Sequence, residues 1–583
     1  MAEQAQSGKL SVKLRRGERM CLIAMNVDPK PAPDFVGFAI EVKAPGSADF
    51  APLRNRLAFA YPADKTITGS RDYDTREAPL QIFRWIHFPY NPQPCAYQYR
   101  VTMMHMAADG ALTPGDQVVC DIELFDETMA NFLDIGFTRN FASSQAFADT
   151  FPDEESRKLI LPAQPKDGLA FDKSKAPKGV YEWLGGKSTE ILFKLLNEAW
   201  TSPELTLDVM VYDLNEPDVV GALEAVAKRR TPGGAPTLRI IIDNSADHGH
   251  ADSAESQAAA RLTVAGAAVV RHHFDSLQHN KVIIVRRNGV LERVIGGSTN
   301  FSFRGLYIQA NNMLVFQAPD ALAAFSTMFD LAFQGPKALE KDPFSKVWHA
   351  LTTTDGSTVR ICFSPHPGST PDSTDVSLMP LTGAIEQAAS SVFYSVAFLN
   401  QDTKGPIRKA LDRLVDKPIF SYGVVNRKTG LQLKKPDGSD GVVDFEYLGA
   451  HAPTPFKEEW SGGAGINIHH KFVVTDFDLP SAKVFAGSSN LSISGEQGNG
   501  DHLVQISNPR VAAAYAIEAL RMFDHLHFRT KMKEAGVPKA GAPLPGAGVI
   551  TLAKPPAPGQ PAWFDTFYID GSQKERDRLT FSR

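Results

Sequence analysis

A chain of 583 residues is too long for one domain and predicts about three. Hydrophobic and charged contents of 43% and 22% are those of an ordinary globular protein, and a formal net charge of −5 excludes a whole-chain electrostatic footprint for nucleic acid. Four scattered cysteines (Cys21, Cys95, Cys120 and Cys362), with no Cys-x-x-Cys pair, fit packing residues in a reducing compartment. The start lacks the apolar stretch of a signal peptide, and no run of about 18 apolar residues occurs, so a cytoplasmic protein without a transmembrane segment is expected.

Residues 9–130 read as strands. Val36, Phe38, Ile40 and Val42 alternate with smaller or polar residues, as do Tyr97, Tyr99, Val101 and Met103, and Pro- and Gly-bearing turns separate these runs. The pattern predicts an antiparallel β-sandwich-like accessory domain, with no cluster of titratable residues and a binding partner that the sequence does not name. Residues 131–178 read as a connector.

The period then changes. Ile191, Leu192, Leu195, Leu196, Ala199 and Trp200 recur at helical spacing behind Ser188, placed to cap the helix. Strands (205–212, 238–242, 267–270) alternate with helices (218–228, 255–263), and the order repeats with strands 359–363, 392–399 and 419–425 around helices 381–389 and 406–415. Such alternation predicts α/β halves, 179–338 and 356–530, each with a largely covered sheet. Phe456 and Trp460, in a loop before the last part of the second half, are expected as buried staples or as an apolar lip beside the active site. Residues 531–583 are Pro-, Ala- and Gly-rich at first, then aromatic from Trp563, and predict an extended arm that docks its aromatics.

One pattern occurs twice. His279-Asn-Lys281 precedes an apolar strand, a turn and Gly297-Ser-Thr-Asn300; His469-His-Lys471 precedes an apolar strand, a turn and Gly487-Ser-Ser-Asn490 at the same offset. The equal offsets mark an internal duplication. Alternate residues of a strand share a face, so each histidine projects with its lysine, and each Gly-Ser-x-Asn loop closes on the same point. Each copy thus offers an imidazole, an ammonium, a hydroxyl and an amide. Lysine and asparagine are donors suited to the non-bridging oxygens of phosphate. Two facing copies would place two histidines and two lysines round one anion: one imidazole attacks phosphorus, the other protonates the leaving oxygen. This chemistry calls for neither metal nor cofactor, and an ammonium beside each histidine opposes a cation. His272, His273 and His470 read as strand or loop residues, and Arg271 and Arg304 as phosphate contacts or surface pairs.

The pattern resembles the phospholipase D superfamily, whose signature, His-x-Lys-x4-Asp followed by Gly-Ser-x-Asn, is present twice per active site. The resemblance spans roughly residues 180–530 and implies two pseudo-twofold α/β halves with one active site between them. It carries over to His279, Lys281, Ser298 and Asn300, and to His469, Lys471, Ser488 and Asn490. Asp476 fills the signature's Asp position and Asp501 matches the acidic residue that orients a histidine; the first copy has Arg286 and Asn311 instead. Pairing Asp501 with His469 and Asn311 with His279, each within its own copy, makes His469 the first proton donor and His279 the nucleophile. The tyrosyl-DNA phosphodiesterases are similar in placing an amide beside the first-half nucleophile. The expected activity is metal-independent hydrolysis or transphosphatidylation of a phospholipid at a membrane surface through a phosphohistidine. A nuclease, for which only a modest Arg427–Lys435 basic cluster speaks, and a non-catalytic phosphate-binding scaffold are the alternatives.

Overall fold

The computed structural model describes residues 3–583 apart from 61–72, 90–91, 94, 125–127, 140–146, 148–149, 367–375, 400–401, 427–434, 437, 440, 445–467 and 535–550, with the backbone alone described over 443–444 and 526–534. Phe456, Trp460 and most of the Arg427–Lys435 cluster lie outside the described residues. Among the described residues no helix is long and apolar enough to cross a membrane.

The N-terminal region is built from two four-stranded antiparallel sheets. One runs Glu3–Ser7, Leu10–Arg16, Cys21–Val27, Arg84–His87; the other runs Leu112–Glu123, Ala96–Met106, Phe35–Lys43, Ala51–Pro52. The alternating residues Tyr97, Tyr99, Val101 and Met103 meet Leu10, Val12, Ile23 and Phe38 in one core. Period-two burial holds along Leu10–Arg16 and the second part of Leu112–Glu123, whereas Cys21–Val27 and Phe35–Lys43, the latter read as half-buried, are covered on both faces over most of their length.

Two larger sheets follow, with one plan. The first orders its strands Leu133–Phe137, Asn312–Phe316, Val290–Gly297, Val282–Arg287, Leu205–Val211, Leu238–Ile242, Ala268–Arg271. In the second, behind an edge strand His349–Leu351, the order is Thr358–Ser364, Asp501–Ser507, Lys483–Gly487, Lys471–Thr475, Ser391–Val396, Phe420–Val425, Val442–Asp444. In each, the strand carrying the motif lysine or lying just after it runs antiparallel to a central strand, Leu205–Val211 or Ser391–Val396, and the next two strands run parallel to that one. Helices Pro217–Ala227 and Ala254–Ala265 cover the first sheet; Leu378–Gln387 and Pro406–Leu414 cover the second. Both last strands lead into long helices with proline in the first turn, Pro319–Gln334 and Pro509–Glu534. A single apolar core joins the other faces, with Val282, Ile284 and Phe325 of the first half against Phe472, Val484 and Val504 of the second.

Three local expectations change. Leu133–Phe137, in the stretch read as a connector, is an edge strand of the first large sheet, antiparallel to Asn312–Phe316. Ser188 does not cap its helix: helical backbone extends from Val180 to Thr201 and breaks at Gly186, whose φ of 61° and close approach to the Phe137 carbonyl leave no room for a side chain. The C-terminal segment is not extended throughout, since it ends in a helix, Gln573–Ser582.

Candidate active site

The two motif histidines meet at the seam between the halves, through a pair of matching backbone bridges. The His279 N–H donates to the Gly500 carbonyl at 3.0 Å, and the His469 N–H donates to the Ala310 carbonyl at 3.1 Å. Each motif strand is thus stitched to the residue just before the acid or amide of the opposite copy.

The side chains follow the stitching. Asp501 Oδ1 lies 2.7 Å from His279 Nδ1, and Asn311 Oδ1 lies 2.8 Å from His469 Nδ1. Both partners therefore cross from one half to the other, and the within-copy pairing expected from the sequence is corrected. The Asn311 amide is oriented from two sides: its Nδ2 donates to the Gly305 carbonyl at 2.9 Å, and the Ser298 hydroxyl donates to its Oδ1 at 2.9 Å. His469 must then donate through Nδ1 and keep Nε2 for chemistry; the same holds for His279 against the Asp501 carboxylate.

Each lysine reaches back over its own strand. Lys471 Nζ donates to the His469 carbonyl at 2.9 Å, and Lys281 Nζ makes the same bond to the His279 carbonyl. An aromatic ring flanks each pair: Tyr212 lies 5.2 Å from the His279 ring and 4.9 Å from Lys281 Nζ, and Phe398 lies 6.1 Å from the His469 ring and 5.5 Å from Lys471 Nζ. These rings stand just past the ends of the two central strands. They were missed in the sequence, where the only signal is an aromatic residue within two positions of each central strand's end.

The motif glycines answer to backbone geometry. Gly297 and Gly487 have φ of 123° and 151°, and a Cβ there would sit 2.6 Å from the Asn312 carbonyl oxygen and 2.3 Å from that of His502. Only glycine lets the Gly-Ser-x-Asn loop turn this close to the neighbouring strand. Ser298 and Ser488 then brace the loops: their hydroxyls accept from the Asn312 and His502 N–H groups, each at 3.0 Å. His502 is itself a cross-half brace. It accepts from the Gly297 N–H at Nε2 (3.1 Å), so its proton sits on Nδ1, 2.7 Å from Asn280 Oδ1.

Asp476 serves the scaffold. Its Oδ1 accepts from the backbone N–H groups of Ala389 and Ser390 at 2.9 and 2.8 Å, closing the turn before the central strand. Arg286, at the matching place of the first copy, donates instead to Ser326 Oγ at 2.6 Å. His272 and His273 bond to Ala332 O and Asn244 Oδ1, His470 lies on Glu518, and Arg271 holds the Asp243 and His248 carbonyls. Lys435, the last residue of the basic cluster, is buried.

His279, His469, Asn300 and Asn490 open on one cavity of about 670 Å³, with Tyr212, Phe398 and Arg304 in its wall. Burial pushes the bases of the site toward their neutral forms. His279 falls to about 4, through burial first and then Lys281, against the pull of Asp501. His469 also lies well below its ordinary value, through burial and then Lys471. Lys281 drops to about 7, again through burial, and burial likewise holds Lys471 well below its ordinary value. Burial works to raise the Asp501 carboxyl, but His279 and Lys281 hold it below its ordinary value. An anion entering this cavity restores positive charge to the bases around it, which is the electrostatic condition for binding phosphate.

One cluster in the wall escaped the sequence reading. Asp213, His248 and Glu255 bring donor atoms within 4.8 Å of one another, and among the described residues this is the group with the chemistry to hold a cation. The Asp243-to-His250 loop, rich in Asp and His, was the available signal.

Residues 193–332 match the family model described as "Cardiolipin synthase, PLD-like domain". A duplicated His-x-Lys and Gly-Ser-x-Asn constellation across two matched sheets, together with this match, places a phospholipase D superfamily domain in the chain. Proteins of this superfamily are phosphodiesterases and phosphatidyltransferases. Three solved structures show how far the likeness extends. Phosphatidylserine synthase of Haemophilus influenzae aligns at 11% identity and TM-score 0.39 over 58% of this chain and 84% of its own. Polyphosphate kinase of Porphyromonas gingivalis aligns at 11% identity and TM-score 0.36, and this chain spans 45% of its length. Nuc, a phospholipase D family member of Salmonella typhimurium, aligns at 26% identity and TM-score 0.20 over 25% of this chain and 86% of its own. No curated protein matches the chain.

Proposed function

We propose that this protein is a phosphodiesterase of phospholipase D type that hydrolyses, or transfers from, a phospholipid phosphodiester through a phosphohistidine, with one active site between its halves. The observation that carries the reading is the crossed pair of hydrogen bonds, His279 to Asp501 and His469 to Asn311, which turns both Nε2 atoms to a shared cavity beside two lysines. The family model's description, a cardiolipin synthase domain, supports a lipid substrate reached at a membrane surface.

His279 is the nucleophile, for a reason opposite to the one its sequence suggested. When Nε2 forms its bond to phosphorus, the ring becomes a cation that retains its Nδ1 proton, and the Asp501 carboxylate stabilises that charge. As the P–O bond to the alcohol breaks, His469 Nε2 gives its proton to the leaving oxygen. Its amide partner suits this role, because an imidazolium beside Asn311 is a stronger acid than one beside a carboxylate. Water, or an acceptor alcohol, then gives a proton to His469 and attacks phosphorus, and the N–P bond returns its electron pair to His279. Lys281, Lys471, Asn300 and Asn490 hold the phosphate oxygens throughout, so no metal enters the scheme.

The test offers phosphatidylcholine vesicles and a single-stranded oligonucleotide side by side, with EDTA, to the wild-type protein and to His279→Ala. Lipid turnover that EDTA spares and the substitution abolishes is the expected result. Turnover of the oligonucleotide alone would replace the lipid by a nucleic acid, and activity retained in His279→Ala would end the phosphohistidine scheme.

A further inference from the structure

A chain of hydrogen bonds leads from the wall of the cavity to the first motif asparagine. Asp243 Oδ2 lies 2.9 Å from His248 Nδ1, and His248 Nε2 lies 3.1 Å from Asp213 Oδ1. Asp213 Oδ2 in turn accepts from Asn300 Nδ2 at 2.7 Å. His248 is buried with a carboxylate on each ring nitrogen, an arrangement in which both nitrogens donate and the ring is an imidazolium. The other oxygen of Asp243 accepts from the Gln278 N–H at 2.7 Å, so the same carboxylate also ties the residue before His279.

Asn300 shows what this chain does. Its amide is buried, and Oδ1 has no hydrogen-bond partner among the described residues. An unpaired buried acceptor is costly, and a flipped amide would set that oxygen against the Asp213 carboxylate, which is worse. Asp213 therefore dictates which end of the amide faces it, takes one of the two N–H groups, and leaves the second for the cavity that Asn300 lines. A carboxylate on one N–H also polarises the other.

We infer that Asp213 is a positioning residue for the reaction: locked by His248, which Asp243 locks in turn, it presents the Asn300 amide to a phosphate oxygen. The inference rests on the phosphodiesterase reading of the site. Glu255, with Oε1 4.0 Å from His248 Nε2, and itself held by the Leu214 N–H at 2.9 Å, stands beside this chain without entering it.

A double-mutant cycle with bis(p-nitrophenyl) phosphate tests whether Asp213 acts through Asn300. Losing a hydrogen bond to a charged group predicts a fall of about tenfold in kcat/KM for Asp213→Ala. In an Asn300→Ala background the same substitution should cost less than about twofold, since its target is gone. Asp213→Asn, which keeps the shape and one acceptor oxygen, should fall between and substitutes for Asp213→Ala if that variant melts early. Calorimetric titration of inorganic phosphate into the same proteins gives a second reading, in which the affinity lost with Asp213 should likewise vanish without Asn300. Equal losses in both backgrounds would overturn the inference while leaving the phosphodiesterase reading intact. A wild-type protein with neither turnover nor phosphate affinity would overturn that reading and this one with it. Metal analysis closes the remaining route: one bound equivalent of a divalent ion, lost in His248→Ala, would make the cluster a metal seat and end the positioning role.

Discussion

The Asp501 carboxylate of one half sits 2.7 Å from the His279 imidazole of the other, so the charged partner of the proposed nucleophile is lent across the seam. Replacing Asp501 by Asn keeps the shape and removes the charge. In comparable acid–histidine pairs the loss is roughly 10²- to 10⁴-fold in kcat, and the same range is expected here. Asn311→Asp should act differently: a carboxylate beside His469 makes its imidazolium a weaker acid and slows departure of the alcohol. Rapid-quench analysis with labelled substrate checks both, since Asp501→Asn should leave little phosphohistidine and Asn311→Asp should form it more slowly; His469→Ala should trap it on His279. Label recovered on His469 in the wild-type protein would reverse the assignment.

The sequence made the eight motif side chains legible because duplication turns a weak pattern into a strong one. Two lysines and two histidines at the mouths of apolar strands have no packing use, so their chemistry could be argued without a fold. Which acid serves which histidine was not legible. Asp501 and Asn311 stand at the same offset in their copies, and a two-fold exchange of partners leaves every offset unchanged. Only the bridges from Gly500 to His279 and from Ala310 to His469 decide it. Tyr212 and Phe398 were hidden for another reason: one aromatic residue at a strand end has no period to betray it. The strand Leu133–Phe137 was lost because five residues at a sheet edge are too few for alternation to stand out.

The buried histidines give the site a pH signature. His279 and His502 have folded-state pKa values of about 4 and about 3, below the ordinary value of 6.5, through burial in both cases. Below pH 6.5 the unfolded chain takes up protons that the folded chain refuses. Their contribution to stability is therefore complete above about 6.5 and is lost as pH falls through about 4. Melting curves from pH 7 to pH 4 should show a falling Tm. Added inorganic phosphate should lessen the fall, because an anion in the cavity lets His279 and His469 accept protons while folded. A Tm that is flat over this interval, or blind to phosphate, would contradict the electrostatics of the site.

Gly297 and Gly487 should not tolerate even alanine. At φ of 123° and 151°, with a neighbouring carbonyl oxygen 2.6 or 2.3 Å from the added Cβ, the chain must move. Strain of this kind costs roughly 1–3 kcal/mol per site. Part of it will be relieved by displacing the loop that carries Ser298 and Asn300, or Ser488 and Asn490. Denaturant unfolding should show the lower stability, and the residual folded protein should have lost more kcat than stability alone explains. Alanine at Gly289, whose Cβ would meet open space, serves as the control, although its φ of 81° carries its own smaller strain.

The C-terminal segment fastens the β-sandwich region to the second half, and its removal should be felt in both. Trp563 stacks on Phe83 at 5.6 Å and donates to the Phe35 carbonyl at 3.0 Å, while Phe581 packs between Phe420 and Phe477, each at 5.3 Å. Between these aromatic anchors Arg84, buried in the seam, donates to Asp577 at 2.6 Å and to Asp524 at 2.8 Å. A buried guanidinium shared by two carboxylates is tolerated only while both remain. Asp577→Ala leaves the charge half-compensated and should cost about 3 kcal/mol, and Arg84→Met in the same protein should recover most of it, because the uncompensated charge is then gone. Urea unfolding of the wild type, the single variants and the double variant measures this directly. If the double variant is no more stable than Asp577→Ala, the aromatic anchors rather than the ion pairs hold the segment down.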